Sequence, residues 1–356
     1  MDKPFLTWGR WHEFGMLLPR SDGVEATAIP PDCVLPLSVI LVSMRQSNND
    51  IITIEAPAKV NLCLSVKYPP QDGYHQLDSV FYELALHDVL HVQVTGIDDC
   101  IDSPQAACTR RGTTVALDCG ALGVATADNL IFKAVDALEQ ALERDAVAFG
   151  QALRITVDKR IPAGGGLGGG SSDAASTIKA LCNIWGVAYD DERVLIVAKS
   201  LGADVAFFLC GGTAFMKGRG DELSRKLASF PLPVVLMGDS QPMPTAAVYA
   251  AFDENPQPAP CAQELADYID AFPAWGATID QKRELARLCA NNLEPAVLAA
   301  SSSIARRIQT ARQDPDVLNA LVTGSGATSF AICADEGAAM RFERRAAAFC
   351  DWTCIC

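Results

Sequence analysis

Residues 161–176 read IPAGGGLGGGSSDAAS, with six glycines in the seven positions 164–170 and Ser171, Ser172 and Asp173 directly behind them. Glycine is costly to order because its backbone has the most freedom to lose, so this density needs a chemical use. Anion binding is the use these residue types support. A helix starting at the serines presents unpaired N–H groups and a partial positive charge at its first turn. Glycines ahead of it let the backbone curl in and aim further N–H groups at the same oxygens. Ser171 and Ser172 can cap the helix and offer hydroxyls to a phosphate, and Asp173 suits the positive end of the helix dipole. Rival readings are weaker. A flexible linker is not placed between a strand and an apolar helix. A P-loop ends in Gly-Lys-Ser/Thr, and Gly169-Gly170-Ser171 has no lysine. The dinucleotide spacing Gly164-x-Gly166-x-x-Gly169 is formally present, but it lies deep in the chain behind Pro162 and no clean βαβ unit follows. Neither HRD nor DFG occurs, which sets aside a protein-kinase loop.

The flanks supply the elements that must hold such a loop. Leu153, Ile155 and Val157 alternate in LRITVDKRI, a strand that runs straight into the glycines. Behind them Ala175, Ile178, Leu181, Cys182 and Trp185 fall at helical spacing. Upstream, 51–66 and 79–94 read as strands, and 128–144 as a helix with Leu130, Ile131, Ala134, Val135, Leu138 and Leu142 on one face. A short helix is expected over 191–202, ended by Gly202. After a change of style at 211–223 come a buried strand at 233–238, a helix from 245 and helical stretches through 262–313. Strand, glycine turn and strand over 318–334, a helix and a last strand at 352–356 complete a small α+β second domain, in a split βαβ arrangement. Residues 1–50 carry Pro19, Pro30, Pro31 and Pro36 and no sustained periodicity; they read as a detachable extension, with Met44 as a candidate native start.

Composition narrows the function. A formal charge of -14 on 356 residues argues against a broad nucleic-acid surface, and an anionic substrate must be held by local donors. Thirteen cysteines without a CxxC pair, ending in the lone CxC of Cys354 and Cys356, read as reduced thiols in a cytoplasmic protein. The four histidines have no metal-ligand spacing, so no metal residues are assigned. The apolar run 33–44 is too short to span a membrane and follows acidic residues, so neither a membrane anchor nor a secretory leader is expected.

PAGGGLGGGSSDAAS closely resembles the nucleotide loop of the GHMP kinases, the galactose, homoserine, mevalonate and phosphomevalonate kinase superfamily. APAKVNLCLSV (56–66), DGYHQLDSVF (72–81), LGADVAFFLCGG (201–212) and LVTGSGATSFAI (321–332) fit in order, so the likeness runs from about 51 to 356. AKVNL followed by DGYH narrows it to the branch whose acceptor is the 2-hydroxyl of a cytidine-diphosphate derivative of methylerythritol, in non-mevalonate isoprenoid synthesis. The resemblance implies a two-domain α+β GHMP kinase fold, with a ribosomal S5 domain 2-like N-terminal domain (51–220) and a ferredoxin-like C-terminal domain (221–356). It implies ATP, with Mg2+ carried on it, a small-molecule substrate, and a monomer or homodimer.

Carried over by position, the resemblance makes Asp204 the catalytic aspartate and Lys59 its partner, and sets Asn61 beside the acceptor. Tyr74 and His75 hold the cytidine, and Thr245 and Tyr249 form the far wall of its slot. Asn129 and Lys159 lie near the adenine; Pro162, Ala163, Gly164, Gly165, Gly166, Leu167, Gly168, Gly169, Gly170, Ser171 and Ser172 surround the phosphates. A carboxylate can accept or orient an alcohol proton, and a nearby ammonium keeps it ionised and faces the phosphate. Taken singly, Asp204 reads as a turn residue and Lys59 as a strand-edge lysine; the glycine loop makes the functional reading the stronger. Asp72-Gly73 marks a turn that presents an aromatic face for a pyrimidine. TGSGATS (323–329) offers backbone donors for a diphosphate. Two departures are visible: Ala206 stands where the family has proline, and Asn292 where it has an acid. The alternatives are another GHMP enzyme, of homoserine or mevalonate type, or a non-catalytic nucleotide-binding regulator.

Overall fold

A computed structural model describes residues 51–101, 103, 105–120, 125–143, 151–239, 243–272 and 277–356. The extension 1–50 and the start at Met44 lie outside the described residues. β1 (Ile51–Val66) and β2 (Leu77–Gly96) form a long antiparallel hairpin. A single helical turn, α1 (Asp98–Ile101), and the short β3 (Ala106–Cys108) and β4 (Thr114–Asp118) follow. Then come α2 (Leu130–Ala141), β5 (Gln151–Asp158), α3 (Gly169–Trp185), α4 (Glu192–Leu201) and α5 (Ala203–Cys210). β6 (Thr213–Lys217) and β7 (Glu222–Lys226) complete this part. The expected strands at 51–66 and 79–94 and the helix on the 128–144 pattern are present, with ends moved by one to three residues.

The second part runs β8 (Val234–Gly238), α6 (Thr245–Glu254), α7 (Ala262–Ala271), α8 (Ile279–Leu288), β9 (Ala290–Asn291), α9 (Glu294–Ala300) and α10 (Ser302–Arg312). It ends in β10 (Val317–Val322), β11 (Ser329–Cys333), α11 (Glu336–Ala346) and β12 (Trp352–Ile355). Two sheets result. Eight strands join as β3-β4-β5-β2-β1-β9, with β6 and β7 continuing from the first half of β2; four antiparallel strands join as β10-β11-β8-β12.

Period-two alternation decides how these layers stack. Val234, Leu236, Phe330 and Ile332 pack in one buried layer with Ala58, Val60 and Leu62 of β1. Their neighbours Val235, Met237, Ala331 and Cys333 pack the other way, with Val248 and Phe252 of α6, Ile304 and Ile308 of α10 and Phe342 of α11. On the first sheet, β2 and β5 contribute Leu90, Val92, Leu153 and Ile155 to a core completed by the apolar faces of α2 to α5. The register of β1 against β2 slips twice, between Pro57 and Lys59 and between Asn61 and Cys63. Such irregularities re-aim side chains out of a regular ladder, and here they bracket Lys59 and Asn61.

Candidate active site

The glycine loop connects β5 to α3, but its glycines do several different jobs. Gly164, Gly166 and Gly168 have φ of 73, 78 and 76°, the left-handed region that a Cβ disfavours. At Gly165 a Cβ would lie 2.4 Å from Thr328 Oγ1, and at Gly166 one would lie 3.0 Å from the Gly326 carbonyl oxygen. At Gly168 it would meet the Phe208 ring at 2.8 Å and Lys59 Cγ at 3.3 Å. The loop therefore lies against the 323–328 turn and against Lys59. Thr328 N–H donates to the Gly165 carbonyl (3.3 Å) and Lys59 N–H to that of Leu167 (3.0 Å).

Two details of the expected cradle are corrected. Helix α3 begins at Gly169, with Gly168 as its N-cap and no side-chain cap bond, so Ser171 and Ser172 do not cap it. The cause is local: left-handed Gly168 lets the chain enter the helix directly, two residues before the serines. Ser172 is fully buried, and its hydroxyl has no hydrogen-bond partner. Nor does Asp173 sit in the first turn; it faces Lys159 instead, with its Oδ2 2.7 Å from the ammonium. Gly202 ends α4 as expected, in an extended conformation (φ 161°) that leads straight into α5.

The structure brings Lys59, Asn61 and Asp204 together. Lys59 is 4% exposed. Its ammonium donates to Asn61 Oδ1 (3.0 Å), lies 3.6 Å from Asp204 Oδ2, and stands 4.9 Å above the centre of the Phe81 ring. Asp204 occupies the first turn of α5, where the helix dipole favours an anion, and its side chain is 30% exposed. Asn61 is fixed from every side. Its N–H donates to Thr323 Oγ1 (3.1 Å), the Thr323 hydroxyl donates to its Oδ1 (3.2 Å), and its Nδ2 donates to Ser79 Oγ (3.0 Å). Ser79 passes its own proton to the Cys63 carbonyl (2.7 Å). The sequence reading missed Thr323, Ser79 and Phe81. TGSGATS had been noted for its backbone, and that was the available signal for Thr323.

The expected cytidine-holding residues divide into two groups. Asp72 and Gly73, at φ 51 and 80°, make the turn of the Gln71–Tyr74 bridge. Tyr74 is 59% exposed, with the Arg219 guanidinium 4.9 Å over its ring. It lines a cavity of about 250 Å³ with Gln71, Asp72, Gln76, Arg219 and Asp221. His75 turns the other way, with its ring 5.2 Å from that of Tyr249 and its Nε2 3.0 Å from Asp253 Oδ1. Thr245 Oγ1 is 2.9 Å from Ser325 Oγ, which ties the start of α6 to the 323–328 turn. Burial pushes the Tyr249 phenol up to about 12, and the Asp204 carboxylate acts in the same direction, so Tyr249 shares an electrostatic neighbourhood with the Lys59–Asp204 pair.

Lys159 and Asn129 stand at the loop's entrance. Lys159 bridges Asp88 and Asp173. Asp88 is fully buried and accepts the N–H groups of Arg160 (2.5 Å) and Ile161 (2.8 Å), which fixes the exit from β5. Burial lifts Asp173 to about 7 against the pull of Lys159. Burial would lower Lys159, but Asp173 and Asp88 outweigh it and raise its pKa. Asn129 is the N-cap of α2, accepting from Ile131 N–H (2.9 Å), and its Nδ2 faces Cys119 Sγ at 3.7 Å. Of the two departures, Asn292 has a structural reason. Its Oδ1 accepts from Val66 N–H (2.8 Å) and its Nδ2 donates to the Val66 carbonyl (2.9 Å), a two-way bond that an ionised acid could not make. Among the described residues, no group of three or more His, Cys, Asp or Glu is placed to hold a metal ion.

A glycine loop at a helix start, a buried lysine facing a half-exposed aspartate, and two stacked α+β layers define a class, that of the GHMP kinases. The family model for the GHMP kinase N-terminal domain matches residues 129–212, and that for the C-terminal domain matches 273–351. The chain is 33% identical over 287 residues to the 4-diphosphocytidyl-2-C-methyl-D-erythritol kinase of Pelotomaculum thermopropionicum, covering 80% of this chain and 90% of that one. It is 33% identical over 297 residues to the enzyme of the same name from Azorhizobium caulinodans, covering 83% and 94%. A crystal structure of a 4-(cytidine 5'-diphospho)-2C-methyl-D-erythritol kinase superposes with a TM-score of 0.63 at 27% identity, over 85% of this chain and 98% of that one. Homoserine kinase from Cytophaga hutchinsonii shares the fold, at 17% identity and a TM-score of 0.60. The chain belongs to the 4-diphosphocytidyl-2-C-methyl-D-erythritol kinase family.

Proposed function

We infer that this chain transfers the terminal phosphoryl group of ATP to the 2-hydroxyl of 4-diphosphocytidyl-2-C-methyl-D-erythritol. The observation that carries the reading is the convergence of Lys59, Asn61 and Asp204 beside Gly168. Phosphoryl transfer runs through a loose transition state, so the protein's part is positioning and charge stabilisation. The run from Pro162 to Ser172 and the first turn of α3 fit a triphosphate. They offer free helix-start N–H groups and the partnerless, buried Ser172 hydroxyl. Magnesium arrives on the phosphates. Lys59 balances charge on the transferring group and faces Asp204 at 3.6 Å. Asp204 accepts or orients the acceptor proton, worth about 100- to 10,000-fold. Asn61 fixes Lys59. Asn129 and Lys159, at the entrance, serve the base of the nucleotide.

His75, Tyr249 and Thr245 take the substrate's cytidine end, with Tyr74 as a further aromatic contact on the Gln71–Tyr74 turn. In this reading 51–220 is the nucleotide-binding domain and 221–356 the substrate domain. A cytoplasmic setting goes with the unpaired cysteines. Purified protein is expected to release ADP from ATP only when the cytidylyl substrate is added; release with homoserine or mevalonate instead overturns the assignment. Asp204→Asn is expected to lower kcat at least about 100-fold while ATP still binds; unchanged turnover removes Asp204 from the chemistry.

A further inference from the structure

The motif that the kinase reading leaves unused is the CxC at 354 and 356. Cys354 lies on the edge strand β12, opposite Leu236 of β8. Cys356 extends the ladder beyond the strand: its N–H donates to the Val234 carbonyl (2.8 Å) and its carbonyl accepts from Val234 N–H (3.1 Å). Residues two apart on an extended strand project to the same face, so the two thiols stand side by side, their sulfurs 3.9 Å apart. The intervening Ile355 is exposed (42%), while Cys354 and Cys356 are partly buried beside Tyr82 and Leu86. A disulfide needs its sulfurs at about 2 Å and Cα atoms within roughly 7 Å. Residues two apart on an extended strand have Cβ atoms about 6.6 Å apart, whereas a disulfide needs about 3.5–4.5 Å, so closure takes rotation of both side chains and a local bend at Ile355 that releases Cys356 from Val234.

We propose that Cys354 and Cys356 form a reactive dithiol that closes to an intramolecular disulfide on meeting a low-molecular-weight disulfide. The two thiols are within hydrogen-bond reach, and an S–H donated from Cys356 favours the Cys354 thiolate, lowering its pKa against burial and the Glu343 carboxylate while Cys356 moves up. Cys354 is thus the attacking thiolate at neutral pH. It attacks one sulfur of the external disulfide. That S–S bond breaks, one small thiolate leaves and takes a proton from water, and a mixed disulfide forms on Cys354. Cys356 then gives up its proton and attacks the Cys354 sulfur, expelling the second small thiol. The two cysteines lose two electrons and two protons, and the external disulfide gains both. Cys350, in the same C-terminal segment, is held differently: burial lifts its thiol to about 11, and Arg307 and Asp239 are its charged neighbours.

The test uses the full reduced protein, oxidised glutathione at pH 7, acid quenching, maleimide alkylation and tryptic mapping. The fragment 346–356, released after Arg345, carries all three C-terminal thiols. It is expected to take one maleimide, on Cys350, and to weigh about 2 Da less than its dithiol form before that label. The exposed Cys108 and Cys261 should instead stop at glutathione adducts. In Cys356→Ser the adduct should persist on Cys354, because the resolving thiol is gone. In Cys354→Ser no 354–356 bond can form, and Cys356 should react more slowly than Cys354 does in the wild type, because burial still holds its thiol up. Circular dichroism confirms that both variants fold. Three maleimides on the wild-type fragment, a lasting glutathione adduct there, a bond to Cys350, or a disulfide between two chains would each overturn the proposal.

Discussion

Single side chains already show how the site divides its charges. Lys59 has one carboxylate near it, whereas Lys159 has two, Asp88 and Asp173. One ammonium does not neutralise two buried carboxylates, and Asp173, whose Oδ1 is buried without a partner, keeps the proton. Its pKa of about 7 lies well above the usual value of about 4. The folded chain therefore holds a proton between about pH 4 and 7 that the unfolded chain has lost. Stability from this group is complete at low pH, declines as pH rises through that window, and is flat above it. Asp173→Asn keeps an acceptor for Lys159 but cannot ionise. Its urea midpoint, measured at pH 5, 6, 7 and 8, is expected to gain on wild type as pH rises, by an amount on the order of 1 kcal/mol or more. Parallel curves would remove the buried proton from the account. At this scale the sequence was partly legible. Lys59, Asn61 and Asp204 were found because their short motifs resemble a family's. Thr323, which holds Asn61 from 262 positions away, carried no local mark, because hydrogen bonds between distant segments leave no periodicity to read.

At the scale of elements, the strand-loop-helix unit was legible from composition, but its internal logic was not. Six glycines look alike in a sequence, while the fold gives each a different neighbour. Gly168 combines φ 76° with a would-be Cβ 2.8 Å from Phe208 and 3.3 Å from Lys59 Cγ. Gly170 lies in α3, with its nearest such atom 3.9 Å away, on Leu130. Gly168→Ala is expected to lose about 1–2 kcal/mol from the left-handed backbone alone. It should also cut kcat, because relief of the clash displaces Lys59 from Asn61 and Asp204. Gly170→Ala is expected to keep or gain stability, by about 0.5–1 kcal/mol. Urea unfolding and steady-state kinetics on the pair check this, and similar losses in both variants would mean that the whole run acts as one flexible cradle. The register slips in β1 were invisible beforehand for a related reason. IITIEAPAKVNLCLSV reads as one continuous strand, and only its pairing with β2 shows where the ladder breaks to turn Lys59 and Asn61 toward the loop.

For the molecule as a whole, the change of style near 211–223, the α+β pattern after it and the family resemblance all pointed to two parts. The continuous apolar run VVLMG implied a buried strand, as it is, but not what covers each face. One side of the small sheet shares a core with the strand that carries Lys59: Phe330, Ile332 and Leu236 pack with Ala58, Val60 and Leu62, the residues that alternate with Lys59 and Asn61. The site and the second sheet are thereby linked by hydrophobic packing, which is lost all at once when a layer separates. Phe330 is completely buried in this layer. Phe330→Ala is expected to destabilise the protein by about 3–5 kcal/mol through lost burial and the cavity left behind. In urea, ATP turnover and far-ultraviolet circular dichroism should decline at a common midpoint in wild type, and both should move down together in the variant. If turnover in Phe330→Ala kept the wild-type midpoint while the dichroism midpoint fell, the shared layer would not be what holds Lys59 in place, and the two sheets would have to be treated as separate folding units.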